Sequence, residues 1–287
     1  MPELLPTLLY CFVFGVYYFQ WPFSSLSSPL NAPENTLASF EQAKKEGVDL
    51  IEFDIGFTKD FVPVLMHDDD LDRTTNMNGP LNKYNFVELE KCNCAAKFSS
   101  LGNQDFTSNF EPICTLEKLI EWSIKNNVKM LFDVKDTEIK LVKLIALLFE
   151  RYNLYNKAIV CSFFPTVVYR IKKENPNILT GGFITYDDIE FTVPRSSSKL
   201  IFFISMILDV IWIWCVKLWI PEFLGVDMVL TERREISPFY LKNMAARGFK
   251  VCAWTVNERN EMAWMSRELK IPFLTDAPYI ASHVLKN

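Results

Sequence analysis

Histidine is almost absent from this chain of 287 residues, which contains only His67 and His283. Because His283 lies close to the C-terminal end of the sequence, a catalytic site that needs two histidines is not expected. Arginine does not occur before Arg73, and neither lysine nor arginine occurs before Lys44. The positive-inside rule therefore assigns no orientation to the apolar N-terminal residues.

Two further absences exclude classes of protein. The net charge is −5 and the sequence contains no basic cluster, so nucleic acid is not an expected partner. The seven cysteines show no paired metal-ligand spacing beyond one C-x-C, at Cys92 and Cys94, which argues against a cysteine zinc site. A disulfide among Cys92, Cys94 and Cys114 stays open if that region faces an oxidising compartment.

Carboxylates on strand patterns are the clearest positive feature. Glu52 and Asp54 occupy alternate positions of an apolar run, so their side chains share one face of a strand while Phe53 points away. Asp133 and Lys135 repeat the arrangement across Val134. Hard oxygen ligands of this kind are preferred by Mg²⁺ and Ca²⁺, and the pattern therefore predicts a site for one divalent cation.

Apolar runs alternate with helical patterns along most of the chain, among them 116–126 and 165–174, which favours an α/β fold with a parallel sheet. An imidazole, that of His67, follows the apolar run Val62–Met66. Catalytic groups at the carboxyl ends of strands are typical of a TIM barrel. Seven strands are predicted, one short of eight, at 48–55, 128–134, 157–163, 178–184, 226–231, 249–256 and 271–275.

Six ordered motifs resemble the glycerophosphodiester phosphodiesterase family. They are APENTL at 32–37, EFD at 52–54, HDDDLDRTT at 67–75, FDVK at 132–135, AWTVN at 253–257 and LTDAP at 274–278. The segment VCSFFPTVVYR at 160–170 and the long apolar insert before the last strands resemble the membrane-bound animal type that acts on glycerophosphoinositol.

The resemblance implies a phospholipase C-like phosphodiesterase TIM barrel that hydrolyses glycerophosphodiesters, with lysophospholipids as a further substrate class. It implies a Mg²⁺ or Ca²⁺ ion held by Glu52, Asp54 and Asp133, with His67 and Lys135 as catalytic residues. Arg73 is a candidate for phosphate contact, with a structural salt bridge as the alternative. Trp254 is a candidate for stacking on the substrate, with an aromatic plug that closes the barrel as the alternative. For Glu34 and Asn35 the resemblance implies positions beside the metal, although helix capping is the alternative.

One motif of the family is absent. Its members use a second histidine in a His-Arg-Gly triplet upstream of the APENTL segment, where this chain reads Ser25-Leu26-Ser27-Ser28. General acid or base catalysis typically contributes about 10² to 10⁴ in rate. The chain is therefore expected to be severely impaired, and the first barrel strand is expected to be missing or replaced. The alternative function is a membrane protein that binds phosphodiesters without turnover.

Two apolar segments predict membrane association, at an endomembrane or the plasma membrane. Residues 1–31 fit an anchor, a cleaved signal or a buried segment. Residues 200–220 are apolar and rich in tryptophan, and Ser205, Asp209 and Lys217 fall within one third of a helix circumference. That pattern predicts a helix lying in the membrane interface, with Trp212, Trp214 and Trp219 at its boundary. The barrel is predicted at 32–287, with a capping insertion at 56–114.

Overall fold

The computed structural model describes residues 25–26, 30–98, 110–184 and 199–286. Most of the predicted N-terminal anchor or signal lies outside these ranges, so that assignment stays a prediction. The described part is an α/β fold resembling a TIM barrel, with a parallel sheet whose strands are connected by helices. The predicted fold class is confirmed at this level.

Seven parallel strands form the sheet in chain order, which is the order expected for successive βα units. An eighth position is marked by a parallel bridge between Phe273 and Ala253, within the predicted strand 271–275. The strands are β1 Ser25–Leu26, β2 Leu50–Phe57, β4 Lys129–Val134, β5 Ala158–Ser162, β6 Thr180–Ile184, β7 Met228–Glu232 and β8 Lys250–Trp254. A short strand, β3 Pro63–Leu65, pairs antiparallel with β2 outside this series.

Helices follow the strands where the 3.6-residue periodicity predicts them, and their ends carry ordinary capping groups. The Thr36 side chain accepts from the Ser39 backbone N–H at the first helix, which ends at Gly47 in the left-handed conformation. The α-helices are α1 Leu37–Glu46, α2 Leu116–Asn126, α3 Ile139–Tyr152, α4 Pro165–Glu174, α5 Lys199–Leu218, α6 Ile220–Leu224, α7 Pro238–Ala246, α8 Arg259–Ala263 and α9 Pro278–Lys286.

Strand alternation separates the interior of the barrel from the layer beneath the helices. Phe53 and Phe132 belong to an outer core with Phe40 of α1 and Phe149 of α3. The opposite faces of the same strands contribute to an interior cluster that includes Leu50 and also contains Leu131, Ile159, Leu230 and Leu274. Leu50, Glu52 and Asp54 lie on the same, interior face of β2. The carboxylates therefore follow the apolar residue toward the carboxyl end of the strand.

A strand is present at the first position of the barrel, where the sequence predicts that the strand is missing or replaced. Ser25–Leu26 form β1 and pair in parallel with β2, with Leu26 in register with Glu52. The strand position is thus occupied by the same residues that stand in place of the His-Arg-Gly triplet. In the described part of the chain, β1 forms two register pairs with β2, whereas β2 and β4 form six.

The insertion at 56–114 has a small core of its own, and its residues 99–109 lie outside the described ranges. Two 3₁₀ helices, Leu81–Lys83 and Phe86–Lys91, follow β3. The backbone N–H of Met66 donates to the carbonyl of Asp54, which ties the start of the insertion to β2. Its core consists of Val64, Met66, Leu71, Leu81, Leu89, Cys92, Cys94 and Ile113.

The predicted apolar stretch at 200–220 forms α5 and leads into α6. Across the described ranges, none of the helices combines the length and the apolar character that crossing a bilayer requires. Lys217 pairs with Glu235 at 3.2 Å, so the polar side of α5 faces the protein at this point. Large apolar side chains are exposed elsewhere along α5, namely Phe203, Ile204, Ile207, Leu208, Val210, Ile211, Trp214 and Leu218. The side chains of Ser205, Asp209 and Trp212 are outside the described set.

Candidate active site

Three buried carboxylates meet at the carboxyl ends of β2 and β4. Strand alternation places Glu52 and Asp54 on one face, and the parallel register sets Asp54 directly beside Asp133. Each of the three carboxylates contributes an oxygen to a group whose members all lie within 4.8 Å of one another. The three residues are only 5–7% exposed. The structure therefore brings together the three predicted metal ligands.

Burial and mutual repulsion disfavour the charged forms of this cluster. Burial raises the pKa of Glu52 well above its usual range, and the charges of Asp54 and Asp133 raise it further. Burial, with the charge of Asp54, raises the pKa of Asp133 to about 7. Lys135 acts in the opposite direction on both groups. Its Nζ lies 2.7 Å from Asp54 Oδ1, so one ammonium faces three carboxylates.

The cluster fits a divalent cation on its own chemistry. Asp133 Oδ1 is buried and has no hydrogen-bond partner among the described residues. A buried acceptor without a hydrogen-bond partner costs free energy. The negative charge of three ionised carboxylates would also exceed the single positive charge of Lys135. Carboxylate oxygens are the ligands that Mg²⁺ and Ca²⁺ prefer. The buried acidic triad could thus hold such an ion.

Asn35 lies beside the cluster and orients one of its members. Its Nδ2 donates to Asp54 Oδ2 at 3.0 Å, and its Oδ1 accepts from the Asp54 backbone N–H at 3.1 Å. Asn35 adopts a left-handed backbone with φ of 55°, a conformation that asparagine tolerates better than most residues. The side chain of the neighbouring Glu34 does not follow Asn35 to Asp54. Its carboxylate accepts from Arg73 instead.

His67 lies at the mouth of the site rather than in its interior. It follows Met66, whose backbone is bound to Asp54, and about half of the imidazole surface is exposed. Nδ1 of the ring lies 2.6 Å from Asp68 Oδ1. Asp68 is the first of three consecutive aspartates, Asp68, Asp69 and Asp70.

Arg73 is held by two carboxylates. Its Nε donates to Asp68 Oδ2 at 2.6 Å, and its Nη1 and Nη2 donate to the two oxygens of Glu34 at 2.9 and 2.5 Å. These bonds occupy both edges of the guanidinium fork. A phosphate would therefore compete with existing partners, and the phosphate contact stays a prediction.

Trp254 forms an aromatic wall at the mouth of the barrel with two residues that sequence reasoning did not single out. Phe163 and Phe183 stack with ring centroids 4.3 Å apart, and Trp254 meets both edge-on at 5.6 Å. The indole Nε1 is buried and has no acceptor in the described part of the chain. Buried polar groups normally have a hydrogen-bond partner, and the predicted stacking of Trp254 on a substrate stays a prediction.

Asp276 is a fourth carboxylate of the site that sequence reasoning overlooked. Burial is the main cause of its raised pKa, and the charge of Glu34 adds to it. Asp276 in turn is among the charges that raise the pKa of Glu52, after burial, Asp54 and Asp133. Asn257 Nδ2 donates to Asp276 Oδ2 at 2.9 Å. The signal in the sequence was its position directly after the last apolar run.

Comparisons with known proteins agree with this geometry. The sequence profile of the Glycerophosphoryl diester phosphodiesterase family matches residues 27–280. Human Glycerophosphodiester phosphodiesterase 1 is 33% identical over 251 residues, which cover 86% of this chain and 75% of that protein. A Glycerophosphodiester phosphodiesterase of Caldanaerobacter subterraneus is 26% identical over 259 residues, covering 86% of this chain and 90% of its own length.

Solved structures share the fold at low sequence identity. A phosphodiesterase of Oleispira antarctica, solved in complex with the product sn-glycerol-3-phosphate, gives a TM-score of 0.73 at 20% identity. The alignment covers 92% of this chain and 96% of that one. A putative glycerophosphoryl diester phosphodiesterase from Silicibacter pomeroyi gives 0.71 at 17% identity, covering 98% and 97% of the two chains.

Proposed function

Because the chain belongs to the glycerophosphoryl diester phosphodiesterase family, whose members are phosphodiester hydrolases, we propose that it hydrolyses glycerophosphodiesters to glycerol 3-phosphate and an alcohol. The observation that carries the proposal is the buried cluster of Glu52, Asp54 and Asp133, in which one Asp133 oxygen has no partner among the described residues. Glycerophosphoinositol is the proposed substrate, with lysophospholipids as a second class.

Each group at the site has a proposed role. Glu52, Asp54 and Asp133 would hold Mg²⁺ or Ca²⁺, which when bound supplies charge that stabilises a developing phosphorane. Lys135, paired with Asp54, adds a second positive charge on the same side. His67 follows Met66, whose backbone N–H is bound to Asp54, and exchanges a proton with the attacking water or the leaving alcohol. Trp254 presents Nε1 to a substrate oxygen.

Under this proposal, the absence of a second histidine lowers the turnover rate and does not abolish turnover. Comparison with enzymes of the family does not favour the alternative of binding without turnover. Ser25–Leu26 form a strand beside Glu52, so the backbone at this position is present although the triplet is absent. Turnover is expected to be slower, by the contribution of one acid or base, than in members with two histidines.

The test is release of glycerol 3-phosphate from glycerophosphoinositol by the purified full chain. Product is expected with Mg²⁺ or Ca²⁺ and is expected to disappear on addition of EDTA and to return with excess metal. The control substrate is a phosphomonoester such as glycerol 2-phosphate, which should not be hydrolysed. Tight binding of glycerophosphoinositol without any product would overturn the proposal.

Membrane association is proposed to use the exposed face of α5 and the adjoining α6. Trp214 and Leu218 on α5, Trp219 between the two helices and Phe223 on α6 are each more than half exposed. An exposed apolar surface of this kind is unusual for a protein surrounded by water. The polar contacts of this region point inward, since Arg247 donates to the backbone carbonyls of Lys217 and Leu218. Localisation at an endomembrane or the plasma membrane stays part of this proposal.

Flotation with phosphatidylcholine vesicles tests the membrane proposal. The variant Trp214→Ser/Phe223→Ser is expected to lose most of its vesicle binding while keeping its melting temperature. Val87→Ser is the control, because Val87 is 66% exposed and lies on the 3₁₀ helix Phe86–Lys91 of the insertion, outside α5 and α6. Equal flotation of all three proteins, or none by the wild type, would contradict the proposal.

A further inference from the structure

His67 has one fixed partner in the described structure, and that partner determines the position of its protons. The Nδ1 atom lies 2.6 Å from Asp68 Oδ1. An ionised carboxylate can only accept hydrogen bonds, so Nδ1 must be the donor. In the neutral ring the proton then resides on Nδ1, and Nε2 carries the lone pair.

Asp68 is itself prevented from turning away or taking up a proton. Arg73 donates to both of its oxygens, from Nε to Oδ2 at 2.6 Å and from Nη2 to Oδ1 at 3.1 Å. The hydrogen bond from Arg73 is the largest cause that lowers the pKa of Asp68 to about 2, and the contact with His67 acts in the same direction. The acceptor is therefore charged at neutral pH.

Arg73 is fixed in turn from the loop that precedes α1. Glu34 accepts from Nη1 and Nη2, while the next residue, Asn35, binds Asp54 through its side chain. Two consecutive side chains thus connect the metal cluster to the histidine. Through Glu34 and Arg73 the position of Asp68 depends on the same loop that orients Asp54.

We infer that Asp68 is a positioning residue that holds His67 with its proton on Nδ1, so that Nε2 is the nitrogen that exchanges protons with the substrate or water. Arg73 and Glu34 complete the device by holding Asp68 in place. The reaction in which His67 exchanges protons rests on the proposed function, whereas the orientation of its ring does not. Without a second histidine in the site, loss of this orientation has no compensating group.

The small number of histidines allows a direct test by NMR of the full chain with ¹⁵N-labelled histidine. Only two imidazoles contribute, and His283→Gln assigns them. In the wild type, the His67 ring is expected to be protonated at Nδ1 when neutral. In Asp68→Ala it is expected to revert to the mixture of tautomers of a free imidazole, whereas Asp69→Ala, at an exposed neighbour, is expected to match the wild type.

Kinetics provide the second readout. Asp68→Ala is expected to lower kcat by about 10- to 100-fold, the usual cost of losing a group that orients an active-site histidine. KM and the Mg²⁺ concentration that gives half of full activity are expected to stay within about twofold. Glu34→Gln, which loosens Arg73 without altering Asp68, is expected to show a smaller change of the same kind and serves if Asp68→Ala does not fold.

The outcomes separate the two proposals. An unchanged His67 tautomer in both Asp68→Ala and Glu34→Gln would overturn the inference whatever the activity. A wild type with Nδ1-protonated His67 but no product would overturn the proposed function and leave the inference standing. A fall in kcat without any change in the tautomer would assign Asp68 to overall folding instead.

Discussion

The two halves of the candidate site are built in different ways. The proposed metal half consists of Glu52, Asp54 and Asp133, buried on the rigid strands β2 and β4. The proposed proton-transfer half consists of His67, Asp68 and Arg73, partly exposed on the loop after β3 and held by side-chain bonds. Burial raises the free energy of the ionised carboxylates in the first half, and a bound cation would offset that cost. The second half is accessible to water and depends on how its side chains orient one another.

The largest effect is expected from breaking the metal half. Asp133→Asn replaces a ligand oxygen and is expected to reduce kcat/KM by about 10² to 10⁴, since a catalytic metal contributes several kcal/mol. Glu150→Gln, on the exposed surface of α3, is the control. Glycerol 3-phosphate release measures both, and near-normal turnover by Asp133→Asn would show that the cluster is not the catalytic centre.

Completing the proton-transfer half is expected to produce a gain. The triple variant Ser25→His/Leu26→Arg/Ser27→Gly places the family triplet at positions 25–27, the first two of which form β1, with Leu26 in register with Glu52. An added acid or base typically contributes about 10² to 10⁴, and kcat is expected to rise within that range. The same triple change in Asp133→Asn should give no gain. Equal rates for the triple variant and the wild type would refute the idea that the triplet limits this chain.

The buried carboxylates also predict a pH dependence of stability in the metal-free protein. Because the pKa of Asp133 is raised to about 7 in the folded state, the folded protein binds more protons than the unfolded one between about pH 4 and 7. The free energy of unfolding is therefore expected to decrease as pH rises through this interval, by up to a few kcal/mol.

Thermal unfolding in EDTA measures this effect, and Asp133→Asn is the matched comparison. The variant should lose less stability than the wild type over the same interval. Added Mg²⁺ should raise the wild-type melting temperature more at pH 8 than at pH 5, because the ion competes with protons for the carboxylates. Parallel curves for the two proteins would contradict the raised pKa.

The smallest effect concerns the aromatic wall. Trp254→Phe removes the buried Nε1 donor and keeps most of the ring, so one neutral hydrogen bond to the substrate should be lost, at about 0.5–1.5 kcal/mol. KM is expected to rise about 2- to 10-fold with the metal requirement unchanged. Trp264→Phe, at a partly exposed tryptophan outside this wall, is the control. A wild-type KM in Trp254→Phe would leave Nε1 without a role in binding.

Local pattern was sufficient for most of the fold. The periodicity at Leu116–Asn126 and Pro165–Glu174 predicts the observed helices to the residue. The apolar runs locate the central strands to within about two residues at most ends. The strand Ser25–Leu26 escaped prediction because two residues carry no periodicity, and it exists through pairing with β2. The run at 271–275 shows only a bridge at Phe273.

The sequence by itself determined which carboxylates share a face, since strand alternation is a local property of the backbone. It also indicated the family, because motifs are read in order along the chain. Only the tertiary structure decided that Asp54 lies beside Asp133, that Glu34 turns to Arg73 while Asn35 binds Asp54, and that Asp276 approaches the cluster. These contacts depend on strand register and loop packing between distant segments, which no local pattern encodes.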